Sequence, residues 1–428
     1  MLTVPYGRKQ MTFQVPAGMT ADLLSSNDKP PLADPAAAIA EAMARPVGSP
    51  PLRELAKPGD KVCIVFTDAT RASPDHLLVP ALLRELEAAG VSDGDITLLC
   101  GIGMHRPSTA AEKTAKLGEA VVRRYRVIDS EPRNPERLTQ LGVASTGAPM
   151  VVSRTACEAD LLIATGIVEP HQYAGYSGGR KTVAIGAAGE AVIEYTHAPR
   201  FLDHPGTRLG RVEGNLFHAT ITEVARAAGL RFILNAVCDD AGRIVAVRAG
   251  DPQAAFLELV DEAKELYVRS IPHPYDIAVG GVGYPKDANL YQASRAPTYL
   301  YFAPTPVVRR GGVIIVPAVC QEGAGEGVGE MRCYEALRNA PSAAALLDEM
   351  RGRAFEAGEQ RAYVIAQMLA EIDVIIVGAE RPDVVRDMKM IPAADMDEAF
   401  RLAAGIVGER ARVLVVPHAL LTLPVVAE

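Results

Sequence analysis

The chain has 428 residues, 49% of them hydrophobic and 22% charged. Domains cluster around ~100 to 200 residues, so this length suits two domains with buried cores and excludes a disordered chain or a disulfide-stapled miniprotein. Lys and Arg number 44 against 52 Asp and Glu, a net charge of −8, which disfavours a broad polyanion-binding surface and argues against nucleic acid as a main partner.

From the start, Met-Leu-Thr-Val-Pro-Tyr-Gly lacks a basic segment leading into an apolar one. Apolar runs such as Val313 to Cys320 fall far short of the ~18 residues that span a bilayer, so neither secretion nor a membrane partner is expected. Cys63, Cys100, Cys157, Cys238, Cys320 and Cys333 show no CxxC or zinc-knuckle spacing. They read as reduced residues of a cytoplasmic protein.

Asn27 to Pro35 is loop-like. Lys61 to Thr67 is a short apolar run rich in β-branched residues, and Pro74 to Ala89 repeats Leu78, Leu82 and Leu86 at helical spacing before Gly90. Strand, loop and helix recur with Ile96 to Cys100 and the helical Thr109 to Tyr125, and again with strand Leu161 to Thr165 and the Gly-rich stretch after it. A helix over Asp251 to Val268 closes the first half, and the prolines of Ser270 to Pro274 mark a linker. A second series follows, with strands at Asp276 to Val279, Gly312 to Val316, Val374 to Val377 and Ala411 to Val416. Helices are expected around Leu290 to Phe302, Gln360 to Glu371 and Asp397 to Val407. The alternation predicts two α/β domains with mostly parallel sheets, residues 1–269 and 270–428, with the active site in the crevice between them; the last strand-like segment is a candidate to pack back on the first domain.

In open α/β sheets ligands bind beyond the carboxyl ends of the strands. The segments there are Thr-Asp-Ala-Thr-Arg (67–71), Gly-Ile-Gly-Met-His-Arg-Pro (101–107), and residues 166–181, which hold Glu169, His171 and Ser-Gly-Gly-Arg-Lys. His105 and His171, two of only eight histidines, fall at equivalent strand ends, where neutral imidazole suits both general-base and metal-ligand roles. Arg71 and Arg106 are each either an anion clamp or a surface charge. Gly175 to Thr182 invites comparison with a phosphate-binding P-loop, but Arg180 occupies a position that must be glycine. Lys181 reads either as a nucleophile with a pKa lowered by burial or as a solvated turn lysine. His197 and His204 follow without HExxH or another zinc-hydrolase spacing.

Together Asp68-Ala-Thr-Arg71, Gly103-Met-His105-Arg-Pro, Glu169-Pro-His171, Ser177-Gly-Gly-Arg-Lys181, His197 and Gly283-Tyr-Pro-Lys-Asp-Ala-Asn-Leu-Tyr-Gln292 resemble the nickel-dependent lactate racemase family, in order and over both halves of the chain. The resemblance implies a 2-hydroxy acid racemase or epimerase using a nickel-pincer nucleotide covalently linked to Lys181, with His197 as the protein's nickel ligand. It implies His105 and His171 as paired acid/bases, Asp68 and Thr70 near the cofactor, and Arg71, Tyr291 and Gln292 near the substrate. It also implies cofactor-synthesis proteins as partners. Arg295 stands where lactate racemases place a substrate-binding lysine, and a pocket-lining tryptophan is ruled out because the chain has no Trp. With these differences, the expected substrate is a 2-hydroxy acid that is lactate-like or larger or more polar than lactate. The rival readings are a cofactor-binding protein without turnover and an NAD-dependent 2-hydroxy acid dehydrogenase, the latter weakened by the missing GxGxxG.

Overall fold

The computed structural model describes residues 1–353, 355–356 and 358–427. Two six-stranded sheets dominate it. In chain order their strands are β1 (Thr20–Leu23), β2 (Val62–Thr67), β3 (Ile96–Gly101), β4 (Arg126–Asp129), β5 (Leu161–Ile167), β6 (Leu230–Cys238), β7 (Ile244–Gly250), β8 (Tyr275–Gly280), β9 (Val308–Pro317), β10 (Asp373–Val377), β11 (Ile391–Ala393) and β12 (Arg412–Val416). The first sheet runs β7-β6-β5-β2-β3-β4 and the second β11-β10-β9-β8-β12-β1. All neighbours are parallel except the edge pair β6/β7. This is the two-sheet α/β architecture expected from the sequence.

Parallel strands are covered by helices on both faces, which requires apolar side chains at successive positions rather than at alternate ones. All six residues of β2 are buried. Ile64 and Phe66 join a core that includes Leu78, Leu82 and Leu86 of the helix Asp75–Ala88, while Cys63 and Val65 face the opposite core with Phe256 and Leu259 of the helix Ala254–Tyr267. In β8, Ile277 and Val279 pack with Phe400 of the helix Met396–Val407, whereas Ala278 faces Leu300 and Val364. The expected helix Thr109 to Tyr125 is two helices, Ala110–Leu117 and Glu119–Arg124, because Gly118 takes φ +87° between them.

The division at residue 270 does not separate the sheets cleanly. β1 pairs with β12 at the edge of the second sheet, and the hairpin Leu2–Tyr6/Lys9–Phe13 puts Val4 and Phe13 into the second domain's core. The Gly7 N–H donates to Asp287 Oδ2 at 2.5 Å and the Tyr6 hydroxyl to Gly378 O at 2.6 Å. The opening residues therefore cap the second domain, where an otherwise open sheet edge needs backbone partners. The segment Val413 to Val416 lies inside the second sheet and not on the first domain. The later strand Leu423–Val426 returns to the junction, pairing in parallel with Val268–Ile271; this extended pairing occupies part of the expected linker.

Each sheet reverses its strand order once, between β2 and β5 in the first and between β8 and β12 in the second. At such a switch point the flanking loops leave in opposite directions and open a crevice beyond the carboxyl ends. The loops after β2 and β5 carry residues 68–71 and 168–181, and the loop after β8 carries residues 281–289.

Candidate active site

The loop after β2 is held by a buried polar network. Asp75, fully buried, accepts hydrogen bonds from Thr67 (2.7 Å) at the end of β2, Thr165 (2.7 Å) in β5 and Ser73 (3.0 Å), and pairs with Lys116 at 3.1 Å. Lys116 also donates to the carbonyls of Arg71 and Ser73, both at 2.8 Å. One ammonium thus fixes the backbone beside Arg71, and a buried pair whose remaining donors and acceptors are satisfied resists rearrangement. Within this loop Asp68 receives Thr70 Oγ1 at 2.7 Å and His105 Nδ1 at 2.5 Å. Burial opposes ionisation of Asp68, but His105, Thr70 and Arg71 hold its carboxyl down at about 2. With the carboxylate ionised, the His105 proton sits on Nδ1 and Nε2 carries a free lone pair, the orientation a general base requires.

His171 lies in the short antiparallel pair Pro170–His171/Gly175–Tyr176. Its Nδ1 accepts from the N–H groups of Tyr173 and Ala174, both at 3.2 Å, so the neutral ring carries its proton on Nε2. Gly175, at φ +74°, is required here: a Cβ would lie 2.0 Å from Arg211 O. Burial, followed by the charges of Lys181, Arg71 and Arg295, pushes His171 well below an ordinary imidazole. These neighbours come from both domains and converge on one ring.

Lys181 ends the helical turn Gly179–Lys181 and runs into the π-helical turn Thr182–Gly186. The latter packs so closely on β3 that a Cβ at Gly101 would lie 2.9 Å from Thr182 O. Burial and then Arg71 lower the Lys181 ammonium to about 7, against the pull of Asp68 and Glu169. At neutral pH a substantial share is free amine and therefore nucleophilic. His197, the residue after the helix Glu190–Thr196, donates Nδ1–H to Ile193 O at 2.8 Å and lies edge-on to Tyr173 and Phe217, with centroids 5.3 and 5.1 Å away. Burial, only partly offset by the Ile193 bond, lowers it to about 4. The ring is neutral with Nε2 unprotonated, the state that binds a metal, and the backbone bond fixes its orientation.

Other sequence candidates fall elsewhere. Arg106 makes a bidentate surface pair with Glu112 (2.8 and 2.5 Å), and His204 Nδ1 accepts from the Gly206 N–H. Arg180, 2% exposed, lies over Phe256 at 3.5 Å and donates to Thr222 and Gln253; it braces the first domain's interior where a P-loop has glycine.

From the second domain, Tyr291 and Gln292 lie in the helix Leu290–Ala293, capped by Asn289, and Arg295 begins the helix Arg295–Tyr301 with its guanidinium 2.8 Å from Tyr299 Oη. Arg295 acts electrostatically on His171 and Lys181, while Tyr291 faces Cys333, Arg361 and Tyr173. Lys286 and Glu169 add to the charges of the site. Lys286 follows β8; burial first, then Arg295 and Arg71, lower it to about 8, while Glu169 and Asp68 pull the other way. Four cationic side chains, Arg71, Lys181, Lys286 and Arg295, thus surround His171 or one another across the domains, with Asp68 already bonded to His105. Their excess positive potential suits an anionic ligand. The signal for Lys286 was its position after a central strand at a switch point.

Residues 6–210 match the lactate racemase N-terminal domain and residues 272–423 the lactate racemase C-terminal domain. The chain is 32% identical to a lactate racemase of Thermoanaerobacterium thermosaccharolyticum over 97% of both chains, and 34% identical to one of Lactiplantibacillus plantarum over 89% of both. The structure of the lactate racemase apoprotein from T. thermosaccharolyticum superposes with a TM-score of 0.89 at 30% identity, covering 100% of this chain and 99% of that one. A Thermotoga maritima protein shares the fold, with a TM-score of 0.67 at 22% identity over 92% of this chain and 98% of that one. The two-domain α/β fold is thus that of an isomerase of the racemase class. The chain belongs to the lactate racemase family.

Proposed function

We propose that this chain racemises a 2-hydroxy acid by reversible hydride transfer through a nickel-pincer nucleotide, with His105 and His171 as its acid/base pair. The relatives' names make lactate the first substrate to test. The observation that carries the reading is the meeting, at one switch point, of an amine lowered to about 7 at Lys181, the Nε2-free imidazole of His197 and two further imidazoles.

The residues fit the cofactor that the resemblance implies. His197 Nε2 would hold the metal; among the described residues no three His, Cys, Asp or Glu side chains form a metal-binding group, which fits a cofactor that would bring donors of its own. The free-amine fraction of Lys181 suits a covalent tether, and the loop of Asp68 and Thr70 lies beside it. When bound, the cofactor supplies the hydride acceptor and donor.

The chain's own groups do the rest. Arg71, Arg295 and Lys286 hold the substrate carboxylate. His105 Nε2 takes the hydroxyl proton while Asp68 stabilises the resulting imidazolium. His171 presents Nε2–H to the substrate oxygen; to serve as the base from the opposite hand, it gives up that Nε2 proton and takes one at Nδ1 in place of its two amide contacts. An arriving carboxylate offsets the cations that hold His171 neutral and so raises its proton affinity. Arg295, in place of a lysine, offers a planar fork, and with no tryptophan to line the pocket, the preferred substrate is larger or more polar than lactate. A panel of 2-hydroxy acids should show at least one such compound turned over faster than lactate; turnover of lactate alone would refute that preference.

No helix among the described residues is long and apolar enough to cross a membrane, and the six cysteines are free. The free thiols support a reducing, cytoplasmic location, where cofactor-synthesis proteins would be the partners. Co-expressed with them, the chain should carry about one nickel and the variant His197→Ala almost none, as direct ligation requires. Elemental analysis of both preparations decides; equal nickel in the two would remove His197 from the metal site.

A further inference from the structure

Arg361 is a buried cation outside the machinery described above. It lies in the helix Glu359–Leu369 of the second domain and is 6% exposed. Among the described residues it has no carboxylate within ion-pair distance; its partners are neutral. Nε and Nη2 donate to Ser294 Oγ at 3.2 and 3.1 Å, and Nη1 donates to Gln172 Oε1 at 3.0 Å. Ser294 in turn donates to Tyr291 O at 2.7 Å, so its lone pairs face the guanidinium.

The two partners belong to different domains. Gln172, 5% exposed, is the residue between His171 and Tyr173, and Tyr173 packs edge-on against both His171 and His197, with centroids 5.8 and 5.3 Å away. Ser294, fully buried, lies between Gln292 and Arg295. The same helix makes a second contact across the junction, where Tyr363 and Gln367 donate to Asp203 at 2.7 and 2.6 Å. Burying a guanidinium without a counter-ion costs free energy that neutral acceptors only partly offset. Placing it on both half-sites at once gives the cost a function.

We propose that Arg361 is a positioning residue that couples the His171 segment of the first domain to the Tyr291–Arg295 segment of the second. It sets the distance between acid/base and substrate clamp without touching substrate. A planar fork with donors on two edges performs this bridging; lysine has the charge but not the geometry. The inference rests on the functional reading for what the two segments do, and not for the coupling itself.

The test compares wild type with Arg361→Met, Arg361→Lys and Gln172→Ala, all co-expressed with cofactor-synthesis proteins and assayed on the best substrate of the panel. Arg361→Met should lower kcat and raise KM, together reducing kcat/KM roughly tenfold to a hundredfold, the scale of an ångström's misplacement, with nickel content unchanged. Arg361→Lys should remain impaired. Gln172→Ala should lower kcat with KM nearly unchanged, and adding it to Arg361→Met should cost no further kcat. On the apo chain, amide hydrogen exchange should rise in residues 170–176 and 290–296 in Arg361→Met, and nowhere else to the same degree.

Wild-type kinetics in Arg361→Met, full rescue by lysine, or multiplying losses in the double variant would each overturn the coupling. If Arg361→Met does not fold, Gln172→Ala decides by the same kcat and exchange readouts. An inactive wild type would sink the functional reading, while the exchange experiment would still judge the coupling.

Discussion

Lys181→Ala is expected to fold, to show no covalently added mass, and to lose racemisation by on the order of a thousandfold or more, as removal of a covalent anchor does. The wild-type chain, loaded by the same synthesis proteins, should carry the adduct in intact-mass spectra. The lowered pKa of Lys181 gives the prediction a second, independent part. In the folded apo chain this ammonium titrates at about 7 against a reference value of 10.5. Between these limits the unfolded chain binds more protons, so Lys181 makes apo stability rise with pH across that window; the contribution is complete above the unfolded value and is lost as pH falls through about 7. Lys181→Met removes the titration and should flatten that part of the curve of Tm against pH. An adduct on Lys181→Ala would move the tether to another residue, and an unchanged curve in Lys181→Met would mean that the amine is not desolvated.

The elements that could be read from the sequence are those whose physics is local. The apolar run Lys61 to Thr67 marks a strand covered on both faces, and the residues following such strands face the crevice wherever the sheet order reverses. Asp68, Arg71 and His171 could be placed there without knowing a single contact. Thr20–Leu23 could not, because all four residues are exposed and its place depends on the open edge of β12, a partner far along the chain. The missed strand Leu230–Cys238 does carry a local signal, an apolar series behind Gly229. Lys116 and Arg361 illustrate a harder limit. Each reads as an ordinary charged helical residue, and only the folded chain places one on the Arg71 carbonyl and the other between two domains. The proton positions on His105, His171 and His197 likewise depend on Asp68, the Tyr173 and Ala174 amides and Ile193 O, which composition and spacing do not reveal.

The imidazoles at the centre of the site separate an enzyme from a cofactor carrier. His105→Gln and His171→Gln should each keep their nickel and their Lys181 adduct while losing about 10²- to 10⁴-fold in kcat, the range for deleting a general acid or base. A carrier needs Lys181 and His197 but neither of these rings, so undiminished function in both variants would favour the carrier. Asp68→Asn sharpens the assignment. The amide no longer stabilises an imidazolium, and its NH2 can turn toward Nδ1, which favours the tautomer with the proton on Nε2 and blocks the base. Its loss should approach that of His105→Gln, and the double variant should be no worse than either single one, because a unit that acts together fails together. Independent, multiplying losses would instead place Asp68 with the cofactor loop alone and leave His105 to work unaided. The steady-state rates of the four proteins, each normalised to its own nickel, distinguish the two outcomes.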